Sequence, residues 1–468
     1  MMRRARTALL CLVLFFGVAS SGASQAPRVT WSEPLVLFDT GDTARMFSPF
    51  VVADDQDGIR ILWEIHQMPG VESPAYTNGI YCIEGDGTFW SEPIDVIVAP
   101  QGGRSFWPQH AVDAWGRLHV VWVGPNAALY YSATTVSNAC NVRSWYTVQL
   151  PEAGQILNAA IVADEIGILH VAYAARGESV YYLRSEEGIS WSTPVLVSAA
   201  APGVASAMPE IAVAPGGRLH VVWEEVRLPE GVPSVGLYYA QSRDGGQTWS
   251  PALEIADGGH TQPNVAALQD GTVHLLWNGR AGVRGRYHQW SRDGGETWSS
   301  VEEFVPKVLG GGQTGAPRYA VDSAGALHIA TGTGNAVHVV WDGQRWSQPE
   351  EIAYGNLIEH TNLVSHRGRF QHLVAYDSSV RLLYALGMVE TPETRSPFHA
   401  LAPVMEEAKS TVNGNADSGE ESMLTAATPP APTAGEPATS RTDPLLLGIG
   451  AAGALVIVAL LVTARGRR

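Results

Sequence analysis

The sequence predicts an all-β fold, namely a seven-bladed β-propeller of four-stranded antiparallel blades, closed by an N-terminal strand and followed by one C-terminal transmembrane helix. Three observations predict this fold. One phrase recurs seven times, each copy is followed by two further apolar runs, and the first apolar run of the body lacks companion strands before it. Repetition at a period of about 50 residues is typical of propellers.

The recurring phrase has the form Pro-x-x-x-Val-x-x-x-Gly-x-Leu-His-Val-Val-Trp. Copies begin at Pro49, Pro108, Ala159, Pro209, Pro263, Pro317 and, more weakly, His360. Each copy holds two alternating apolar runs around a turn signal, which predicts a β-hairpin. A third run follows, and a fourth begins at Trp90, Trp145, Trp191, Trp249, Trp298 or Trp346. Four strands per unit, with 43 to 58 residues between equivalent glycines, indicate a propeller blade.

The ends of the body predict how the ring closes. Residues 31–37 read as a fourth strand with no blade before it, whereas the last unit ends after its third strand near Leu386. We therefore expect the first segment to pair with residues 380–386, which would remove an exposed sheet edge.

The termini carry targeting signals. Residues 1–26 have a basic start, an apolar run and small residues, which predict a signal peptide cleaved after Ala23; an uncleaved anchor is the alternative. Residues 27–389 are expected to form the propeller, and residues 390–443 are expected to be a disordered stalk rich in Pro, Ala, Thr and Glu. An uncharged apolar run predicts a transmembrane helix at 444–463, with a cytoplasmic basic tail at 464–468. The propeller is thus expected outside the cytoplasm.

Charge and cysteine content narrow the partners. The chain has 30 Lys+Arg against 46 Asp+Glu and a formal charge of −16, so nucleic acid is not expected to bind. Cys82 and Cys140 remain after signal cleavage; one disulfide and two unpaired thiols are both open.

Five histidines share one register of the second strand, and Arg60 takes that position in the first unit. They are His119, His170, His220, His274 and His328. Because equivalent positions lie in different blades, we expect a structural role and no metal ion or cofactor.

The link between third and fourth strands carries the most specific motif. Two segments, residues 242–249 and 291–298, match Ser-x-Asp-x-Gly-x-x-Trp. This motif resembles the Asp-box, or BNR repeat, of the sialidase (neuraminidase) family. Its residues are expected to build turns rather than to catalyse, since Asp can accept backbone N–H bonds and Gly allows positive φ. The structural Asp-box residues are Ser242, Asp244, Gly246 and Trp249, and Ser291, Asp293, Gly295 and Trp298.

The resemblance implies a sialidase chemistry with three Arg for the substrate carboxylate, a Tyr nucleophile with its Glu, and an Asp acid/base. The family's Arg-Ile-Pro landmark is missing, because Phe47, Phe106, Ala207, Thr261 or Gly315 stands two residues before the prolines. Neither can a Tyr/Glu pair be named. The sequence therefore favours binding over catalysis and names no catalytic residue.

Loops opposite the Asp-box turns are expected to build the ligand face. The candidate ligand-binding residues there are Arg45, Glu64, His66, Arg104, Trp107, Glu224, Arg227, His260, Asn278, Arg280, Arg318 and His360, with Tyr76, Glu225 and Arg284 nearby. The leading hypothesis is a surface propeller that binds a carbohydrate or protein ligand at its axial mouth. An exo-α-sialidase or other glycoside hydrolase is the first alternative, and a non-catalytic scaffold of a surface assembly is the second.

Overall fold

The computed structural model describes residues 27–41, 43–68, 76–98, 106–151, 154–176, 179–228, 234–279, 284–306 and 315–394. The expected signal peptide, most of the stalk, the expected transmembrane helix and the basic tail lie outside these ranges, as do Arg104 and Arg280. Within the described ranges, no helix is long and apolar enough to span a bilayer.

The described chain is built from β-strands, with short 3₁₀ turns at Pro125–Ala127, Val136–Asn138 and Val142–Ser144. The strands, in chain order, are β1 (Val29–Trp31), β2 (Leu35–Asp39), β3 (Ala44–Ala53), β4 (Ile59–Gln67), β5 (Gly79–Gly85), β6 (Ile94–Val98), β7 (Phe106–Val112), β8 (Arg117–Val123), β9 (Leu129–Thr135), β10 (Tyr146–Gln149), β11 (Gln155–Ala163), β12 (Leu169–Arg176), β13 (Ser179–Ser185), β14 (Val195–Ala199), β15 (Val204–Ala214), β16 (Arg218–Arg227), β17 (Ser234–Ser242), β18 (Leu253–Asp257), β19 (His260–Ala267), β20 (Val273–Gly279), β21 (Arg286–Ser291), β22 (Glu302–Val305), β23 (Arg318–Val321), β24 (Leu327–Gly332), β25 (Gly334–Trp341), β26 (Glu350–His366), β27 (Phe370–Asp377) and β28 (Arg381–Val389).

Five sheets contain four antiparallel strands each: β3–β6, β7–β10, β11–β14, β15–β18 and β19–β22. The sixth sheet has eight strands, because the long strand β26 serves two groups. The beginning of β26, at Glu350 to Ala353, pairs with β25, and its later part, from Thr361 onward, pairs with β27. Ile358 lies between these parts, opposite Gly334 of β25 and Asp377 of β27. The all-β fold with four-stranded antiparallel units expected from the repeat is confirmed.

The first strands of the chain pair with the last strand. In β2, Leu35 lies opposite Tyr384 and Val36 opposite Leu383, and in β1 Trp31 lies opposite Gly387. This is the pairing expected from the unpartnered first segment. The two ends of the described propeller segment therefore share one sheet.

The hydrophobic core lies between neighbouring sheets rather than in one central mass. One cluster, for example, joins Val121 and Tyr131 of the second sheet to Val171 and Tyr173 of the third. Alternating residues of β8 show this division, because Leu118, Val120 and Trp122 pack with the first sheet, whereas Val121 and Val123 pack with the third.

Buried histidines tie the second strand to the third in every described unit except the first, where Arg60 takes the histidine position. His119 Nδ1 lies 2.7 Å from the Tyr131 hydroxyl, and the same pairing joins His170 to Tyr182, His220 to Tyr239 and His372 to Tyr384. In two units a histidine replaces the tyrosine, giving the pairs His274–His288 and His328–His338. No group of three or more metal-ligating side chains occurs among the described residues. Each of the second-strand histidines thus uses Nδ1 for a hydrogen bond between two strands of its own sheet.

The two Asp-box motifs form near-identical turns. Asp244 Oδ1 accepts the Thr248 backbone N–H at 2.9 Å, and Ser242 Oγ accepts the Gly246 N–H at 2.9 Å. The second box repeats this with Asp293 and Thr297 at 2.9 Å. Hydrogen bonds from the hydroxyl groups of Thr248 and Thr297, followed by those from their backbone N–H groups, lower the pKa of Asp244 to about 2 and lower that of Asp293 as well. The carboxylates are therefore turn-forming groups in this structure.

The Asp-box tryptophans pack on the neighbouring sheet. Trp249 contacts Tyr182 edge-on with 5.4 Å between ring centroids, and Trp298 contacts Tyr239 at 5.0 Å. Trp90 makes the equivalent contact with Tyr384 at 4.9 Å, across the junction where the chain ends meet. Such edge-to-face pairs contribute about 0.5–1.5 kcal/mol beyond their area.

Cys82 and Cys140 form a disulfide with 5.2 Å between their Cα atoms. Cys82 lies in β5 at the position that the hydrogen-bonded tyrosine occupies in other units, and Cys140 precedes the fourth strand of the next sheet. Trp145 packs in the same cluster. A covalent link thus joins the first two sheets where other neighbours use a Tyr–Trp contact, and it resolves the question that the sequence left open.

Candidate functional site: the axial channel

The first strands of all units surround a common channel. A cavity of about 550 Å³ is lined by residues of β3, β7, β11, β15, β19, β23 and β26. A smaller cavity of about 80 Å³ lies nearer the beginnings of the same strands, where Trp107 and His360 line it. Every inner strand runs from the smaller cavity toward the larger one, so we call the smaller end the upper mouth. Ligand sites in proteins commonly have volumes of about 300–1,000 Å³.

The residues at the upper mouth hold an unusual backbone conformation. Ser48, Trp107, Met208 and Gln262 each precede a proline and each have φ between 47° and 52°. Non-glycine residues in this left-handed region cost about 1–3 kcal/mol each and persist only where the surroundings hold them. Each lies in a β-bulge of the first strand, which turns the following residue toward the channel.

Buried carboxylates hold two of these strained residues in place. Glu64 Oε2 accepts the Trp107 N–H at 3.0 Å, and Glu224 Oε2 accepts the Gln262 N–H at 3.1 Å and the Thr261 hydroxyl at 2.6 Å. Both glutamates are almost fully buried and belong to the preceding sheet. These hydrogen bonds thus join neighbouring sheets through backbone and hydroxyl groups.

The centre of the channel contains an ion pair between two distant strands. Arg318 Nη1 of β23 donates to Glu210 Oε1 of β15 at 2.9 Å. Both side chains are mostly buried, with 23% and 15% exposed. Burial raises the pKa of Glu210, and the Arg318 charge offsets this only in part. Both residues line both cavities, so the pair lies where the two cavities meet.

Two neutral histidines flank this ion pair. His110 stacks on Phe50 with 4.3 Å between ring centroids, and His360 stacks on Tyr376 at 5.3 Å. Burial, followed by the positive charge of Arg318, lowers the pKa of His110 to about 3 and that of His360 to about 4. Each ring therefore offers one donor and one acceptor nitrogen near neutral pH.

Several polar atoms in the channel have no protein partner within the described ranges. Arg318 makes its one hydrogen bond through Nη1, Glu210 uses only Oε1, and neither His110 nor His360 forms a hydrogen bond. The amide of Gln109 is a further polar group in the lining of both cavities. A polar, roomy channel with donors and acceptors still open can receive a polar ligand.

The structure brings three of the sequence-predicted site residues to this channel, namely Trp107, His360 and Arg318. Others lie away from it. Asn278 is fully buried and donates to Gln262 Oε1 and to the Gly315 carbonyl, both at 2.8 Å. His260 packs edge-on against Tyr287 with its Nδ1 near Asp257.

The remaining predicted residues that the structure describes line neither cavity. Arg45 donates to the Ala44 carbonyl at 3.2 Å, His66 Nε2 contacts the carboxylate of the buried Glu64, and Arg227 is exposed at the end of β16. Of the nearby residues, Tyr76 packs edge-on against Phe38, Glu225 is buried and Arg284 is exposed.

Sequence reasoning missed Gln109, His110, Tyr319, Asn362 and, above all, Glu210. One signal was available, because the residue directly after the repeat proline is polar in four copies: Gln109, Glu210, Asn264 and Arg318. A polar residue at one fixed position of an otherwise apolar inner strand indicates that this position faces the channel.

No protein-family model matches the chain, and no curated protein matches it. Solved structures do resemble it. BP39L lectin from Burkholderia pseudomallei has a TM-score of 0.53 at 14% identity, covering 78% of this chain and all of the lectin. A PL25 ulvan lyase has a TM-score of 0.51 at 9% identity, covering 74% of this chain and 95% of the lyase.

Trypanosoma rangeli sialidase matches with a TM-score of 0.43 at 12% identity, covering 86% of this chain and 65% of the sialidase. At such identities the likeness concerns the fold alone. The chain therefore has an all-β, propeller-type fold of the kind found in a lectin and a polysaccharide lyase.

Proposed function

We propose that this chain is a sialidase-like, seven-bladed propeller that binds a carbohydrate in its axial channel. Seven blades follow if the eight-stranded sheet is divided at β26, whose two parts pair with different strands. The Asp-box turns support membership of the sialidase-like group. The lectin and lyase neighbours act on or bind sugars by their names, which favours a carbohydrate as ligand.

The observation that carries this proposal is the set of open polar atoms around Arg318 and Glu210. Sugar hydroxyls both donate and accept hydrogen bonds, so they can match a guanidinium, a carboxylate and neutral imidazoles together. Trp107 at the upper mouth adds the aromatic surface that sugar sites use beside polar groups.

Binding without hydrolysis is the form we propose. Glycosidases of the common type place two carboxylates about the scissile bond. Among the described residues that line the channel, Glu210 is the only carboxylate.

We further propose that the propeller stands outside the cytoplasm, anchored by the segment at 444–463. The last described residues lie at the lower end of the channel, where Glu393 pairs with Arg367 at 2.9 Å and Thr394 lines the cavity. The chain therefore leaves the described propeller at the end of the channel opposite the upper mouth. Antibody against the propeller should label intact cells; labelling that requires permeabilised cells would contradict the placement.

A glycan array tests the function. The purified full chain, in mild detergent, should bind a restricted set of glycans, and incubation with the bound glycans should release no reducing ends. Release of sugar would favour a glycoside hydrolase instead. Absence of binding to every glycan would overturn the proposal and favour a scaffold role.

A further inference from the structure

The channel holds a paired charge rather than a free one. Arg318 and Glu210 contact each other at 2.9 Å, and the two neighbouring histidines are neutral near pH 7 because of the depressed pKa values given above. Each partner of the pair keeps further hydrogen-bonding positions that no described residue fills. A ligand at the centre of the channel therefore meets a donor group and an acceptor group side by side.

From this geometry we infer that the axial site selects neutral sugars, through hydroxyl groups that bridge Arg318 and Glu210, and excludes sugars that carry a carboxylate. The inference rests on the proposed function, since it assigns the class of sugar taken by the same site.

The chemistry of the two side chains supports this selectivity. A guanidinium only donates hydrogen bonds and a carboxylate only accepts them, whereas a hydroxyl does both. A sugar hydroxyl, or two adjacent ones, can thus accept from Arg318 and donate to Glu210 at once. A sugar carboxylate can only accept, so it satisfies Arg318 and leaves Glu210 without a donor.

Electrostatics act in the same direction. An anionic sugar that reaches Arg318 must place its charge close to the Glu210 carboxylate, inside a mostly buried channel. Like charges brought together at a binding interface cost several kcal/mol. The Glu210 charge also compensates Arg318, so the site presents little net positive charge to attract an anion from solution.

Among the described residues that line the two cavities, Glu210 is the only side chain whose negative charge can repel an anionic sugar. Among the described residues lining the two cavities, the charged groups besides this pair are limited to Arg367 and the titratable His366 at the lower end. His110, Gln109 and Asn362, which line both cavities, carry no charge near neutral pH. Removing the single carboxylate should thus convert the site into one with a free guanidinium.

The test compares matched sugars that differ only in a carboxylate. Methyl glucoside is titrated against methyl glucuronide, and methyl galactoside against methyl galacturonide, by calorimetry with the full chain. In whichever pair binds, the unmodified protein should bind the neutral sugar with an affinity at least about tenfold higher than the uronide. This ratio corresponds to a like-charge cost of more than about 1.4 kcal/mol. Glu210→Gln should reduce or reverse this preference by at least about tenfold.

A matched control is Glu254→Gln, which changes the same side chain at an exposed position of the outer strand β18. It should leave the preference unchanged. If the unmodified protein prefers the uronide, or if Glu210→Gln leaves the preference unchanged, the selectivity inference is overturned while carbohydrate binding stands. If no sugar binds to any form in these titrations or on the glycan array, the proposed function fails, and the inference fails with it.

Circular dichroism establishes whether Glu210→Gln folds. Should it not fold, a crystal structure of the unmodified protein with its tighter-binding methyl glycoside decides the question. Hydroxyl groups within hydrogen-bond distance of both Arg318 and Glu210 would support the inference. A sugar carboxylate on Arg318, or a sugar bound away from the pair, would overturn it.

Discussion

The guanidinium of Arg318 and the carboxylate of Glu210 meet at 2.9 Å in the axial channel, although 108 residues separate them in the chain. The contact joins inner strands of two sheets that are not adjacent, with β19 between them in sequence. Because both groups are mostly buried, their interaction affects stability as well as ligand recognition.

Replacing one partner of this ion pair should destabilise the fold more than replacing both partners. Arg318→Met leaves a buried carboxylate without its partner, and we expect the free energy of unfolding to fall by about 1–3 kcal/mol near pH 7. The double variant Arg318→Met/Glu210→Leu should lose less than Arg318→Met alone. Urea denaturation of the four proteins in this cycle measures the coupling, and additive effects would argue against an interaction in solution.

Removing the disulfide should weaken the junction between the first two sheets. The Cys82–Cys140 bridge spans 58 residues, and loss of a bridge of this kind costs about 2–5 kcal/mol. We expect Cys82→Ala/Cys140→Ala to melt at a lower temperature than the oxidised protein. Reducing agent should lower the melting temperature of the unmodified protein but not that of the variant. Equal effects on both proteins would show that the bridge does not form.

The histidine–tyrosine pairs predict a contrast between two adjacent tyrosines. Tyr239→Phe removes the hydroxyl that lies 2.8 Å from His220 Nδ1 in a buried site. An unsatisfied buried donor or acceptor costs about 1–3 kcal/mol. Tyr238, one residue earlier, stacks on Trp223 without such a hydrogen bond. Tyr238→Phe should therefore lower the free energy of unfolding by less than Tyr239→Phe. If chemical denaturation gives equal losses of unfolding free energy for the two variants, the His220–Tyr239 hydrogen bond does not contribute to stability.

Acid should destabilise the propeller before its carboxylates titrate. Burial lowers the pKa of His220 to about 4 and that of His274 and His372 to about 3, against an ordinary value of 6.5. The unfolded chain therefore binds protons that the folded chain does not, and the stability present above pH 6.5 is lost as pH falls toward 4. The slope of the unfolding free energy against pH measures how many more protons the unfolded chain binds than the folded chain. His220→Gln should reduce this number by up to about one. A flat profile between pH 6.5 and 4.5 would contradict these burial effects.

Much of the architecture could be predicted from the sequence because the repeat encodes local structure. The hairpin turns, the Asp-box turns and the pairing of residues 35–39 with β28 each depend on short motifs or on a strand that lacks its companions. The partners at the centre of the ring could not be predicted in this way. Which inner-strand residues face each other depends on the number and tilt of the sheets, and so the pairing of Glu210 with Arg318 had no local signature.

Glu64 and Glu224 illustrate a second reason. Polar residues at the end of a strand suggested a ligand-facing loop, but both carboxylates accept N–H groups from the bulged, left-handed residues of the next sheet. A β-bulge shifts the register without altering the apolar alternation, so neither the strained residue nor its buried acceptor is visible in the sequence pattern.

The contribution of Arg318 to glycan affinity is the sharpest test of an axial carbohydrate site. Calorimetric titration of the full chain with its best-binding glycan should give one site per chain, and Arg318→Ala should abolish binding while the exposed control Arg143→Ala preserves it. Circular dichroism confirms that both variants are folded. Unchanged glycan affinity in folded Arg318→Ala would contradict an axial carbohydrate site.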